Sequence, residues 1–153
     1  ETGTINVAEL YRKHRLIEVF LVDHLQYSCD QIHQEAEILE HTVSDHFIDA
    51  LERLLNYPQT CPHGGQIPKS GQLIEEFYNQ TFTQGLAPGN YVLRRVQDQH
   101  DLLHYLETVG LKIGTPFTLE GFDPFTQLYR LHIDGKDVQI PEAIASNLYI
   151  ESN

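Results

Sequence analysis

The chain has 153 residues, enough for one ordinary domain or two small ones, and its 10 basic against 22 acidic residues give a formal net charge of −12. So acidic a surface repels the phosphate backbone of nucleic acids, which argues against DNA binding by this chain itself. No apolar run approaches the roughly 20 residues of a membrane span, and the start of the chain lacks a signal-peptide pattern. With two cysteines and no disulfide framework, the composition predicts a cytoplasmic protein without a membrane partner.

Two further features of the composition concern ligands and completeness. Nine histidines among many carboxylates supply the nitrogen and oxygen donors that divalent cations prefer. The chain begins at Glu1 and contains no methionine. We therefore expect it to be a fragment of a longer protein.

Helical periodicity dominates the first third of the chain. Apolar residues recur at helical intervals over 5–22, which predicts an amphipathic helix. Ser28 followed by Gln31 has the form of a capping box, so a second helix is expected to begin near Cys29. An apolar stripe at i, i+3 and i+4 spacing then continues through Leu54 until Pro58 stops it, which predicts one long helix with a strongly apolar face.

That apolar face has a consequence for assembly. A unit of about three helices cannot cover it with its own residues. We therefore expect a two-fold symmetric homodimer formed through the helices of residues 5–57.

The remainder of the chain changes character twice. Proline and glycine are dense over 58–71, which predicts an irregular, tightly specified loop. We expect a helical unit at 1–71, a linker at 72–89 and a β-rich unit at 90–153. Strands are predicted at 91–93, 117–122, 129–133 and 138–140, with room for a fifth.

Local signals in the β-rich unit support this division. Asp134-Gly135 predicts a hairpin turn of the primed type. Asp98 has the form of a helix N-cap, and Gly110 has that of the residue that ends the same helix. The predicted fold class is α+β, an all-α helical domain followed by a small SH3-like β-barrel.

Three groups of residues carry the spacing of metal ligands. His33, Glu37, Glu40 and His41 lie on successive turns of the second helix, although a solvated polar face explains them about as well. His14 and Glu18 form an i, i+4 pair, for which an exposed helix pair is the simpler explanation. The segment Cys61-Pro62-His63 offers a thiolate and an imidazole from a rigid loop, but nothing about it suggests a catalytic pair.

The same segments closely resemble a known family. Residues 12–18 (RKHRLIE), 33–45 (HQEAEILEHTVSD) and 61–68 (CPHGGQIP) are similar to the metal-dependent repressors of the diphtheria toxin repressor type, particularly their manganese-sensing, streptococcal-like branch. The resemblance covers essentially the whole chain. It implies a helical dimerisation domain followed by an SH3-like domain related to FeoA, with an N-terminal winged helix-turn-helix absent from this chain.

The resemblance also implies two metal sites. The first site is built from Glu18, Cys61, His63 and Asp98, the last of which overrides the N-cap interpretation. The second is built from Glu37, Glu40 and His41, and is completed in the family by an acidic residue of the winged helix domain. His14 and His33 match positions that bind metal in some branches. The carboxylate of Glu37 points to Mn²⁺, with Fe²⁺ or Zn²⁺ as alternatives.

The function implied is that of the metal-sensing and dimerisation portion of a Mn²⁺-dependent repressor that controls metal-ion uptake. Metal binding would order the homodimer so that the absent winged helix domain binds its operator; the chain would not be an enzyme. Two other classes stay open from the residues alone: a stand-alone metallohydrolase, and a plain dimerisation module that binds no metal.

Overall fold

The structure is a computed structural model of the chain, and it describes residues 7–29 and 31–153. The chain divides into two compact units, Glu1–Phe77 and Tyr78–Asn153. The start of the first predicted helix at Ile5 lies outside the described residues. Among the residues described, no helix combines the length and the apolarity needed to cross a lipid bilayer.

The first unit contains the helices α1 (Val7–Leu25), α2 (Ile32–Glu40) and α3 (Asp45–Leu54). The prediction of one long helix through Leu54 was wrong, because the chain leaves the helical path after Glu40 and starts a new helix at Asp45. The side chain of Ser44 accepts a hydrogen bond from the Phe47 backbone N–H at 3.0 Å. This N-cap satisfies a donor that the new helix would otherwise leave unpaired, and it fixes the break.

The helices enclose a small apolar core. Leu16 of α1, Ile32 and Ala36 of α2 and Ile48 of α3 have no exposed surface. An ion pair crosses the same interface, since the guanidinium of Arg12 on α1 lies 2.7 Å from the carboxylate of Glu52 on α3. Apolar contact and charge therefore both hold α1, which carries the first predicted ligands, against its neighbours.

The loop after α3 closes on itself as a tight turn. The Cys61 N–H donates to the Gly65 carbonyl at 2.9 Å, and the Gly64 N–H donates to the Cys61 carbonyl at 3.0 Å. Gly64 has a φ of 84°, which favours glycine because a side chain is strained in this conformation. The turn presents Cys61 and His63 from neighbouring positions of a constrained backbone.

The second unit is an antiparallel sheet with two helices. Its elements in chain order are β1 (Gly89–Val96), α4 (His100–Val109), β2 (Pro116–Asp123), β3 (Leu128–Ile133), β4 (Lys136–Pro141), α5 (Glu142–Ala145) and β5 (Leu148–Ser152). The five strands pair in the order β4-β3-β2-β1-β5 around a core that includes Leu93, Leu131, Ile140 and Leu148. The predicted α+β class, helical unit first, is confirmed.

Local predictions in this unit had different outcomes. Asp134 and Gly135 both have positive φ, 48° and 81°, which confirms the primed turn between β3 and β4. Gly110 ends α4 in the left-handed conformation, as predicted. The prediction of Asp98 as the N-cap was wrong, because Gln99 occupies that position and no side chain caps the helix.

Candidate metal centre

A buried carboxylate lies at the centre of the first unit. Glu18 is on the face of α1 that packs into the core, and its side chain is only 1% exposed. Removing a carboxylate from water is costly unless charged or hydrogen-bonding groups surround it. Its two oxygens face different neighbours: Oε2 lies 2.9 Å from His14 Nε2, and Oε1 lies 3.6 Å from His63 Nδ1.

One neighbour of Glu18 belongs to a histidine pair between α1 and α2. The ring centroids of His14 and His33 are 5.0 Å apart. One ligand atom from each of His14, Glu18 and His33 can be chosen so that all three lie within 4.8 Å of one another. His14 also reaches Glu40, whose Oε1 lies 2.5 Å from His14 Nδ1. The i, i+4 pair predicted to be exposed is therefore largely buried, and His14 links Glu18 to Glu40.

The other neighbour of Glu18 belongs to the Cys61–His63 turn. Cys61 and His63 are 7% and 3% exposed, and one ligand atom from each lies within 4.8 Å of the others and of a Glu18 oxygen. His63 Nε2 donates a hydrogen bond to the Cys29 carbonyl at 3.2 Å, because a carbonyl oxygen only accepts. In the neutral imidazole this leaves the lone pair on Nδ1, the nitrogen nearer to Glu18.

The turn is anchored to α1 by an arginine that the sequence did not single out. Arg15 donates to the Gln66 carbonyl at 2.6 Å and to Glu76 Oε2 at 2.9 Å, and Glu76 in turn accepts from the Gln66 N–H at 2.8 Å. Gly65 lies beneath the guanidinium, where a Cβ would come within 2.6 Å of Arg15 Cζ. Arg15 and Glu76 are 61 positions apart, so no local pattern could have revealed this contact.

The residues predicted for the second site are only partly brought together. His41 Nε2 lies 3.4 Å from Glu40 Oε2, whereas Glu37 lies 3.9 Å from His33 instead. Glu40 is buried against α1, but the side chains of Glu37 and His41 are 62% and 63% exposed. Within the described part of the chain, no group of three or more ligand atoms that lie within 4.8 Å of one another includes Glu37, Glu40 or His41.

Asp98, the remaining residue predicted for the first site, belongs to the second unit. It is half-buried in the connection between β1 and α4. Its place as a metal ligand stays a prediction.

Comparison with known proteins agrees with this architecture. Residues 1–69 match the family model described as the iron dependent repressor, metal binding and dimerisation domain, and residues 85–152 match that of the FeoA domain. The structure of the manganese regulator SloR is similar with a TM-score of 0.94 and 50% identity, over 100% of this chain and 71% of that chain.

Two further relatives extend the comparison. ScaR with bound Cd²⁺ is 51% identical with a TM-score of 0.91, over 95% of this chain and 70% of that chain. The iron-dependent repressor IdeR of Mycobacterium leprae is 28% identical over 97% of this chain and 70% of its own length. The match covers between 15% and 70% of the length of the curated relatives.

These similarities concern transcriptional repressors rather than enzymes, and they extend over both units. The chain belongs to the iron-dependent repressor family, with the metal-binding and dimerisation domain of that family followed by a FeoA domain.

Proposed function

We propose that this chain is the metal-sensing and dimerisation portion of a Mn²⁺-dependent transcriptional repressor that controls metal-ion uptake. SloR is described as a manganese regulator and ScaR as a manganese-activated repressor, and both are about half identical to this chain. Operator binding would be performed by a winged helix domain that precedes these residues in the full protein. The acidic charge of −12 supports this division of labour, because it disfavours direct contact with DNA.

The convergence of Glu18, Cys61 and His63 in a buried place carries the proposal. Glu18 Oε1 and His63 Nδ1 lie 3.6 Å apart, and the Cys61 thiol lies close to both. A cation held by these three buried groups would share its charge with the carboxylate and with a thiolate. The backbone acceptor on the opposite ring nitrogen is the arrangement that commonly orients a metal-binding histidine.

The donor set fits a divalent transition-metal ion. When bound, such an ion supplies positive charge that a thiolate, an imidazole and carboxylates can share. The thiolate of Cys61 favours softer ions, and ScaR has been crystallised with Cd²⁺ and with Zn²⁺. Carboxylate and imidazole groups also bind Mn²⁺ and Fe²⁺. We take Mn²⁺ as the physiological ion, with Fe²⁺ and Zn²⁺ as alternatives.

We further propose Asp98 as the fourth ligand of this first site. The family resemblance implies this role, and Asp98 offers a carboxylate from the connection between β1 and α4. Glu18 belongs to a helix, Cys61 and His63 to a constrained turn, and Asp98 to the second unit. Ligands from separate elements would favour the one arrangement that lets all of them bind together, which is how metal would order the protein.

The second site is proposed at Glu37, Glu40 and His41, with a further ligand from outside this chain. The exposure of Glu37 and His41 supports this, since both side chains are accessible to a group from another domain. His14, between Glu18 and Glu40, and His33 are assigned as secondary ligands or as groups that orient these carboxylates.

We also propose a homodimer through the first unit. The matching family model includes dimerisation, and several large apolar side chains of α1, α2 and α3 are open to solvent. A single unit of three helices leaves such residues uncovered, and a two-fold contact between equivalent faces would cover them. The residues are Val7, Leu25, Ile38, Phe47 and Leu54.

Calorimetric titration of the chain with Mn²⁺ and with Cd²⁺ tests the first site. Replacing Cys61 by serine exchanges a soft ligand for a weaker, harder one, so Cd²⁺ affinity should fall by more than Mn²⁺ affinity. Cys29→Ser is the matched control, because Cys29 is exposed and contributes only its backbone carbonyl to the His63 contact. Asp98→Ala should lower the affinity for both Mn²⁺ and Cd²⁺ while leaving the dimer intact.

The outcomes separate the competing functions. Unchanged affinities in both Cys61→Ser and Asp98→Ala would refute the proposed first site. An unchanged affinity in Asp98→Ala alone would refute only the assignment of Asp98 as a ligand. Retention of a near-stoichiometric divalent ion after dialysis would exclude a plain dimerisation module. A monomer at micromolar concentration with metal present, measured by sedimentation, would contradict the homodimer.

A further inference from the structure

Three potential metal ligands meet on the solvent face of the sheet in the second unit. His132 on β3 lies opposite Asp137 on β4 in the strand register, and His132 Nδ1 is 2.9 Å from Asp137 Oδ1. The tight Asp134-Gly135 turn joins the two strands and fixes this register. The neighbouring Leu131 and Ile133 are buried, so alternation along β3 directs His132 outward.

An irregularity in β2 brings the third ligand to the same place. The pairing of β2 with β3 shifts between Leu119 and Gly121, so Glu120 is the extra residue of a β-bulge. A bulge changes the direction of a side chain relative to regular pleating. One ligand atom each from Glu120, His132 and Asp137 lies within 4.8 Å of the others, and all three residues are exposed.

The two carboxylates of this cluster, Glu120 and Asp137, attract cations. The hydrogen bond to Asp137, opposed by some desolvation and aided by the charges of Asp137 and Glu120, raises the pKa of His132 above its ordinary 6.5. The two carboxylates thus already stabilise a positive charge at this imidazole. The same two carboxylates lie close enough together to act on any cation brought between them and the imidazole.

We propose that Glu120, His132 and Asp137 form a divalent-cation site on the β-sheet unit, distinct from the sites proposed in the helical unit. One imidazole nitrogen and two carboxylates from three strands are a donor set for Mn²⁺ or Zn²⁺, with water in the remaining coordination positions. The site is exposed and contains no thiolate. It binds more weakly than the Cys61 site and therefore fills at higher metal concentration.

The experiment uses the whole chain labelled with ¹⁵N and titrated with Mn²⁺ at a pH at which the imidazole of His132 is neutral. Mn²⁺ is paramagnetic and broadens the amide signals of residues close to it. After the helical unit is saturated, further Mn²⁺ should broaden the amides of Thr118, His132 and Asp137, which adjoin the cluster.

Variants decide the assignment. His132→Ala should raise the Mn²⁺ concentration needed for this broadening by at least about ten-fold. Glu120→Gln, which preserves the shape of the side chain, should also raise it. His104→Ala, an exposed histidine on α4, is the control and should leave the broadening unchanged. Absence of broadening in the parent chain, or broadening that survives in His132→Ala, would overturn the proposal. Preserved signal dispersion in each variant shows that the fold is intact.

Discussion

Replacing Arg12 with methionine removes a buried cation that pairs α1 with α3. Its side chain is 3% exposed and lies 2.7 Å from Glu52 and 3.0 Å from Asp49. Burial acts to lower the pKa of Arg12, but hydrogen bonds to Glu52 and Asp49, together with the negative charges of Glu52 and Glu9, raise the pKa on balance, so the guanidinium stays charged. Methionine keeps much of the apolar stem and deletes the charge.

The expected loss follows from what each carboxylate retains. Removing one partner of a fully buried ion pair costs about 3–5 kcal/mol, because the other charge is left without compensation. Glu52 keeps Lys69, whose Nζ lies 3.3 Å away, and Asp49 is 59% exposed and returns to water. We therefore expect the lower part of that range or slightly less, about 2–3 kcal/mol in the free energy of unfolding.

Urea unfolding followed by circular dichroism of the helices measures this loss. Lys13→Met is the matched control, since Lys13 pairs with an Asp45 side chain that is 84% exposed, and it should cost no more than about 1 kcal/mol. Adding Glu52→Gln to Arg12→Met should recover part of the loss by removing the uncompensated charge. Equal losses in Arg12→Met and Lys13→Met would refute the reasoning.

Two further predictions concern single contacts. The pKa of His132, followed by NMR of its ring, should lie above 6.5 and should fall toward that value in Asp137→Asn. The stabilisation from this pair is then present below about pH 6.5 and is lost as the pH rises through the folded-state pKa. A His132 pKa at its ordinary value in the parent chain would contradict this prediction. Gly65→Ala should displace Arg15 and weaken Mn²⁺ binding by the Cys61 turn without altering a ligand. The control Gly89→Ala, whose added Cβ meets only Tyr91 at 3.9 Å, should leave the Mn²⁺ affinity unchanged. Equal affinities in the two variants would argue against the anchoring role of Arg15.

Local spacing indicated candidate ligands but did not say which of them meet. It marked His14–Glu18 as a pair more simply explained by exposure and Cys61–His63 as donors on a rigid loop, and only the family resemblance implied that Glu18, Cys61 and His63 share one site. The fold brings ligand atoms of these three residues within 4.8 Å of one another, with His14 beside Glu18. Periodicity could not locate the end of α2, because apolar residues continue at helical spacing across the break while the hydroxyl of Ser44 starts a new helix.

Contacts between residues that are distant in the chain could not be predicted from the sequence. Arg15 meets Glu76 only through the tertiary fold, and the cap of α4 depends on backbone angles that left Gln99 rather than Asp98 at the helix start. The meeting of Glu120 with His132 depends on a bulge and on a strand register. These features arise from pairings between segments, for which composition and spacing carry no signal.

The most direct measurement of the central claim is anomalous scattering from crystals of this chain soaked in Mn²⁺, recorded at the manganese edge. We expect a manganese peak in coordinating contact with a carboxylate oxygen of Glu18, Sγ of Cys61 and Nδ1 of His63. Manganese bound elsewhere in the chain, with Cys61 and His63 making no contact to it, would contradict the account.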